Sequence, residues 1–351
     1  MLEWKKNVRF VEPYVPGEQP KEEGIIKLNT NENPYPPSPK VVNLKMDLEK
    51  LRIYSDPEAL ELVSAIAGYH GLNNDQVFVG IGSDDVLAMS FMTFLNSDKP
   101  ILFPDITYSF YDVWAKLLRI PYETKALKDD FSINIEDYYG ENGGIVFPNP
   151  NAPTCLYMPL DNIRGILDHN RDVVVIVDEA YIDYAGESAL SLIDDYDNLL
   201  VVRTFSKSRS MAGLRIGYAM GNSELISALN SVKFSFNSYT MNYLQIKLGV
   251  ESIKDDVYFK DMIAKVKNTR EWFSKELKRL GFSYPESSTN FVFATHNRVP
   301  AKELFEAAKK EKIYLRYFAN LRIDNYLRIT IGTDEEMKRL VEFFEKYLTN
   351  N

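Results

Sequence analysis

Five consecutive apolar residues, Val173–Val177, run straight into an acidic one, Asp178. A strand with no polar position on either face has to be covered on both sides, the condition of an inner strand in a parallel sheet held between helix layers. Similar short apolar runs recur as QVFVGI, PILF, GIVF, LLVVR and RIGYAM, most of them separated by helix-length segments. ALELVSAIAGYHG has helical periodicity and ends at Gly71, a residue suited to a left-handed C-terminal cap, and SDDVLAMSFMTFL opens with capping residues. The alternation predicts an α/β fold with a mostly parallel sheet between helices.

The two ends of the chain read differently. The first forty residues carry EPYVPGEQP and LNTNENPYPPSP. Proline fixes φ and lacks an N–H donor, so residues 1–40 should form an extended arm lying on another surface. Beyond about residue 235 come a long charged helix near Asp255–Leu280, NFVFAT, AKELFEAAKK, IYLRYF, YLRITIG and EEMKRLVEFFEKYL. These predict a smaller α+β domain over 236–351, after a large domain over 41–235.

Bulk properties narrow the function. With 41 Lys+Arg against 50 Asp+Glu the net charge is −9, which disfavours nucleic acid or an anionic membrane as the main partner. One cysteine excludes an intrachain disulfide and fits a reducing compartment. The N-terminus lacks the apolar stretch of a signal peptide, and no apolar run approaches the ~18 residues of a membrane span. The three histidines, His70, His169 and His296, have no metal-ligand spacing, so no metal is expected. The composition describes a soluble, acidic, intracellular protein large enough to be an enzyme.

Four segments carry chemistry. In TFSKSRSMAGLRIGY, Lys207 follows a strand end, where open α/β sheets bind ligands, with hydroxyls on either side and Arg215 eight residues on. A buried lysine is the usual imine-forming nucleophile, and an arginine can grip phosphate with two hydrogen bonds. In VVVIVDEAYIDY, Asp178 would be a semi-buried carboxylate that calls for a cation, such as a protonated pyridine nitrogen, with Tyr181 three residues later. In NPNAPTC, two proline turns, Asn149–Pro150 and Ala152–Pro153, follow GIVF, and Asn151 could present its amide. In GIGSDD, a glycine turn leads into a helix N-terminus, an anion site; the dinucleotide fingerprint fails because Asp85 stands where its third glycine belongs. Taken singly, each has a plainer reading: a solvated loop lysine, a helix-capping aspartate, an ordinary loop.

In chain order, GIGSDD, the aromatic segment DITYSFY, NPNAPT, DEAY, TFSK and LRIGY resemble the pyridoxal-phosphate aminotransferases of fold type I over essentially the whole chain. EPYVPGEQP, LNTNENPYPPSP, TFSKSRSMAGLRIGY and LRYF…YLRITIGT are similar to the histidinol-phosphate aminotransferase family. The resemblance implies a large domain, a small domain that packs with the arm, pyridoxal 5'-phosphate as cofactor, and a cytoplasmic homodimer. It implies that Lys207 holds the cofactor covalently, Asp178 pairs with its ring nitrogen, Asn151 and Tyr181 bind its phenolic oxygen, and Tyr108 stacks on it. The cofactor phosphate falls to the backbone of Ser83 and Asp84, to Thr204, Ser206 and Arg215, and to Tyr54 of the other subunit. Arg328 is implied as the carboxylate-binding arginine, Arg316 as its companion for substrate phosphate, and Tyr14 and Asn29 as residues closing over the substrate.

A pair of arginines suits an enzyme that must accept two donors, one with an α-carboxylate and one with a phosphate instead. The implied reaction exchanges L-histidinol phosphate and 2-oxoglutarate for imidazole acetol phosphate and L-glutamate, in histidine biosynthesis. Rival readings are an aromatic amino-acid aminotransferase, a phospho-amino-acid decarboxylase, and a non-enzymatic ligand sensor; the last usually carries a DNA-binding module, for which the N-terminal segment is too short. One departure stands out. The family has glycine where Cys155 stands, which predicts a locally different turn there, with the cysteine a passive small residue.

Overall fold

The computed structural model describes residues 2–350. In chain order the strands are Ile26–Lys27 (β1), Val77–Gly80 (β2), Ile101–Pro104 (β3), Tyr122–Lys125 (β4), Ile145–Pro148 (β5), Val175–Asp178 (β6), Leu199–Thr204 (β7), Gly217–Gly221 (β8), Phe282–Ser283 (β9), Phe291–His296 (β10), Ile313–Tyr314 (β11), Arg316–Tyr317 (β12) and Leu327–Thr330 (β13). Seven form the main sheet in the order β2-β8-β7-β6-β5-β3-β4. β8 runs antiparallel to both its neighbours, and the other pairs are parallel.

Every residue of β5, β6 and β7 is buried, as an inner parallel strand requires. Alternate side chains feed two cores. Phe147, Val177 and Val201 pack with Leu62, Ile163 and Val250, contributed by helices Leu60–His70, Leu160–Asp168 and Tyr243–Ile253. Val146, Ile176 and Val202 pack on the other face with Phe91, Trp114 and Leu229, from helices Gly82–Phe94, Phe110–Leu118 and Ser223–Phe236. Full burial of such a side chain contributes about 1.5–3 kcal/mol relative to exposure, so these cores fix the strand ends that carry the site.

A second sheet, β12-β13-β10-β9, is antiparallel and is covered by helices Asp256–Arg279, Ala301–Lys310 and Asp334–Asn350. β1 pairs in parallel with β11, which brings Ile26 and Leu28 of the arm into this smaller core. The change of core falls later than the 235/236 boundary read from the sequence. Met241, Ile246, Val250 and Ile253 all belong to the larger core, and the smaller one draws on the next helix, from Asp256. The helix Tyr243–Ile253 has too few charges to look different from its predecessors, and its packing against Leu60–His70 decides where it belongs. Among the described residues no helix is long and apolar enough to cross a membrane.

The register gathers the motifs. Pro148 is opposite Asp178 and Asp178 opposite Val202, while Gly217 pairs with both Thr204 and Gly80. The carboxyl ends of β2, β5, β6 and β7 therefore share one edge of the sheet, where ligands bind in open α/β folds.

Candidate active site

A cavity of about 400 Å³ opens at this edge. Its wall includes Tyr14, Asn29, Ser83, Asp84, Tyr108, Asp178, Tyr181, Thr204, Ser206, Lys207, Arg215, Arg316 and Arg328, so thirteen of the fifteen residues singled out in the sequence meet in one place.

One end is built for an anion. The helix Gly82–Phe94 starts with no side-chain cap, leaving its first N–H groups free. Gly82 has φ +83°, and a Cβ there would stand 2.4 Å from the Arg215 guanidinium. Gly217 is pressed against the same turn: its Cβ would lie 2.2 Å from the Gly82 carbonyl carbon. The close packing brings Arg215 beside Ser206 (Nη1 to Oγ, 3.2 Å) and Asp84 (Nη2 to Oδ2, 2.8 Å). Asp84 also accepts a hydrogen bond from the Tyr108 hydroxyl at 2.6 Å. A phosphate at this end would share Arg215 with that carboxylate.

Asp178 forms the floor. It is 5% exposed, and its carboxylate accepts from the Tyr111 hydroxyl (3.0 Å) and the Ala180 amide (3.2 Å). Burial pushes its pKa from 3.8 up to about 7; the two hydrogen bonds oppose that rise, and the charges of Asp84 and Glu179 add to it. Among the described residues it makes no ion pair. A carboxylate so placed favours a cationic partner inside the cavity.

Lys207 stands at the carboxyl end of β7. Its Nζ donates to the Thr30 carbonyl at 3.2 Å and lies 5.7 Å from the centre of the Tyr181 ring. The Tyr181 hydroxyl accepts from the Asn31 amide at 2.9 Å.

The opposite end holds two guanidinium groups. Arg316 and Arg328 are directly paired across β12 and β13. Arg328 donates to the Asn29 carbonyl at 2.9 Å, while its Nε is buried with no partner. Burial, with the like charge of Arg316, lowers its pKa from the ordinary arginine value, against the opposing effect of nearby tyrosines. Both cations lie near the Phe318 ring, 5.3 and 5.6 Å from its centre, and among the described residues neither has a carboxylate partner. Tyr14 stacks on Phe110 at 4.2 Å, holding the arm at the cavity rim.

Asn151 is not among the residues that line the cavity: its amide donates to the Ile106 carbonyl (2.9 Å) and Thr154 Oγ1 (2.7 Å), and its oxygen accepts from Thr107 (3.0 Å), itself a residue of the wall. Ala152 and Pro153 of the same loop line the wall. One sequence expectation is corrected: the turn at Cys155 is not a different one. Cys155 has φ +62°, so the left-handed geometry that suits glycine is kept with a side chain in place. Its side chain is fully buried in a cluster with Phe291 and Phe293.

Tyr54 also lies outside the cavity, 81% exposed and stacked on Tyr239 at 4.6 Å. The sequence reading missed Thr30, Asn31, Tyr111 and Phe318. Asn31 had a usable signal: it adopts φ +57°, a conformation asparagine tolerates, within the Asn-rich run LNTNENP. Thr30 acts through a backbone carbonyl, which no residue type announces.

Comparison with known proteins agrees with this geometry. A family model described as aminotransferase class I and II matches residues 23–344. The histidinol-phosphate aminotransferase of Clostridium acetobutylicum is 52% identical over 345 residues, 98% of this chain and 97% of its own. That of Lactococcus lactis subsp. cremoris is 50% identical over 351 residues, 99% of each chain. The crystal structure of histidinol-phosphate aminotransferase from Sinorhizobium meliloti in complex with pyridoxal-5'-phosphate has the same fold, with a TM-score of 0.82 at 22% identity, covering 93% of this chain and 91% of that one.

Proposed function

The chain belongs to the class I and II aminotransferases, and from that premise we propose that it moves the amino group of L-histidinol phosphate to 2-oxoglutarate, giving imidazole acetol phosphate and L-glutamate, with pyridoxal 5'-phosphate as cofactor. The observation that carries the substrate choice is the Arg316–Arg328 pair, two guanidiniums in one cavity, neither of which forms an ion pair with a carboxylate among the described residues. A phosphate monoester has nearly two charges at pH 7 and three acceptor oxygens, enough for both forks; an α-carboxylate is satisfied by one. An aromatic amino acid as donor would leave Arg316 without a partner.

The residues fit the cofactor. Asp178 is a buried carboxylate in want of a cation, matching a protonated ring nitrogen. The free N–H groups at Ser83 and Asp84, with Thr204, Ser206 and Arg215, match its phosphate. Tyr108 offers a ring face, and Tyr181 a hydroxyl for its phenolic oxygen.

When bound, the cofactor supplies an aldehyde that takes up the amino group and a ring that withdraws electrons from the carbon losing its proton. Asp178 would hold the ring nitrogen in its protonated form. Lys207 Nζ would take the proton from the substrate carbon and later give it back, first as base and then as acid. Arg316 and Arg328 hold the substrate anion so that this carbon faces Lys207, and the arm residues Tyr14 and Asn29 cover the cavity against water.

The proposal includes a homodimer, in which Tyr54 reaches the cofactor phosphate of the partner subunit. Leu48, Leu51 and Ile53 are exposed apolar neighbours of Tyr54 in sequence and Tyr239 is one in packing, and such a patch suits a second copy. The test of the activity is to load the purified chain with pyridoxal phosphate and follow glutamate formed from L-histidinol phosphate and 2-oxoglutarate. A higher kcat/KM on phenylalanine would favour an aromatic aminotransferase, and release of carbon dioxide a decarboxylase; either would overturn the proposal.

A further inference from the structure

Three consecutive residues of the arm touch three functional side chains. The Asn29 carbonyl accepts from Arg328, the Thr30 carbonyl from Lys207, and the Asn31 side chain donates to Tyr181. The Asn31 contact is the one whose direction matters. A phenol has a single proton. Accepting a hydrogen bond from the Asn31 amide occupies one in-plane position of the Tyr181 oxygen, so its own O–H turns to the other side. Among the described residues no protein group accepts that proton, and Tyr181 lines the cavity.

Asn31 is itself held on every side. It is 1% exposed with φ +57°. Its backbone N–H donates to Thr330 Oγ1 (3.0 Å), the Thr330 hydroxyl donates back to its Oδ1 (3.1 Å), and its carbonyl accepts from Asn290 Nδ2 (3.0 Å). Thr330 and Asn290 stand on and beside the strands of the second sheet, so this sheet fixes which end of the Asn31 amide faces Tyr181. Of the two side-chain donors that the sequence proposed for the cofactor's phenolic oxygen, Asn151 and Tyr181, Tyr181 is the one that lines the cavity.

We infer that Asn31 is a positioning residue, an amide donor that aims the Tyr181 hydroxyl proton at the phenolic oxygen of the bound cofactor. The inference rests on the reading of this cavity as a pyridoxal-phosphate site. A donor to that oxygen stabilises its anionic form, and with it the unprotonated state of the nitrogen linking Lys207 to the cofactor. Losing the donation favours the protonated state and moves the transition to higher pH.

The experiment is a pH titration of the visible absorbance of the holoenzyme, without substrate, for wild type, Asn31→Gly, Asn31→Asp and Tyr181→Phe. Glycine keeps the left-handed backbone; aspartate keeps the shape and replaces the donor by an acceptor that would draw the Tyr181 proton away. The expected result is an upward shift of the midpoint by about 0.5–1 pH unit in Asn31→Gly, at least as much in Asn31→Asp, and no further shift when Asn31→Gly is added to Tyr181→Phe. An Asn31→Gly or Asn31→Asp holoenzyme with the wild-type midpoint, beside a shifted Tyr181→Phe, overturns the inference and leaves the cofactor reading intact. Failure of the wild-type chain to bind pyridoxal phosphate overturns that reading itself, and an unshifted Tyr181→Phe overturns the assignment of Tyr181 together with that of Asn31.

Discussion

Replacing Asp178 by asparagine should have opposite consequences with and without cofactor. Both groups that now donate to the carboxylate can be served by the amide, Ala180 N–H by its oxygen and the Tyr111 oxygen by its NH2 group, so packing is preserved. In the cofactor-free chain the Asp178 pKa is raised from 3.8 to about 7 by burial. A raised folded-state value means a contribution to stability that is fully present below pH 4 and is lost as pH rises through 7. At ~1.4 kcal/mol per pH unit, that loss is about 2–4 kcal/mol for a carboxylate ionising here without a cation. Asparagine has nothing to ionise. Urea unfolding of the cofactor-free proteins should therefore give similar stabilities near pH 4.5, with Asp178→Asn the more stable by that margin at pH 8. With cofactor present the order reverses. The cationic ring nitrogen loses its counter-charge, and absorbance titration should show roughly ten- to a hundredfold weaker binding of pyridoxal phosphate. A wild-type-to-variant stability difference that stays constant from pH 4.5 to 8 would refute the claim that Asp178 waits for a cation.

At Cys155, where φ is +62°, the usual order of alanine over glycine should vanish or invert. Cys155→Ala keeps the left-handed strain and loses a buried sulfur, costing about 1–2 kcal/mol, whereas Cys155→Gly sheds the strain and should be at least as stable as the alanine variant by urea unfolding; an alanine variant clearly above the glycine one would show that no strain is present. For the proposed dimer contact of Tyr54, mixing the Tyr54→Phe and Lys207→Ala proteins should give hybrids with one doubly altered and one intact site, so activity should return on subunit exchange. Hybrids that form without regaining activity would place Tyr54 in its own chain's site or in none.

The parts of this account legible in the sequence were those written in residue type and short spacing. An all-apolar run closed by Asp178 specifies a buried strand with an acid at its carboxyl end, and Val175–Asp178 is that strand. TFSK after LLVVR puts Lys207 at the neighbouring strand's end for the same reason. What escaped depended on geometry that only packing decides. Which groups the Asn151 side chain bonds turns on where Ile106, Thr107 and Thr154 lie. The helix Tyr243–Ile253 joins the larger core because Val250 and Ile253 meet that surface, not because its composition says so. Asn31 is brought to Tyr181 by pairing of Ile26–Lys27 with a strand nearly three hundred residues away.

The central claim is that one cavity reads a phosphate on one donor and a carboxylate on the other, and that Arg316 serves the first more than the second. Its most direct test is single-turnover stopped-flow of the two half-reactions, L-histidinol phosphate and L-glutamate each mixed with the cofactor-loaded enzyme, in wild type and Arg316→Ala. The account predicts a loss of apparent specificity of roughly ten- to a hundredfold for histidinol phosphate, from a missing charged hydrogen bond, with a much smaller loss for glutamate, which Arg328 holds. Equal losses for the two donors, or no loss for either, would contradict it.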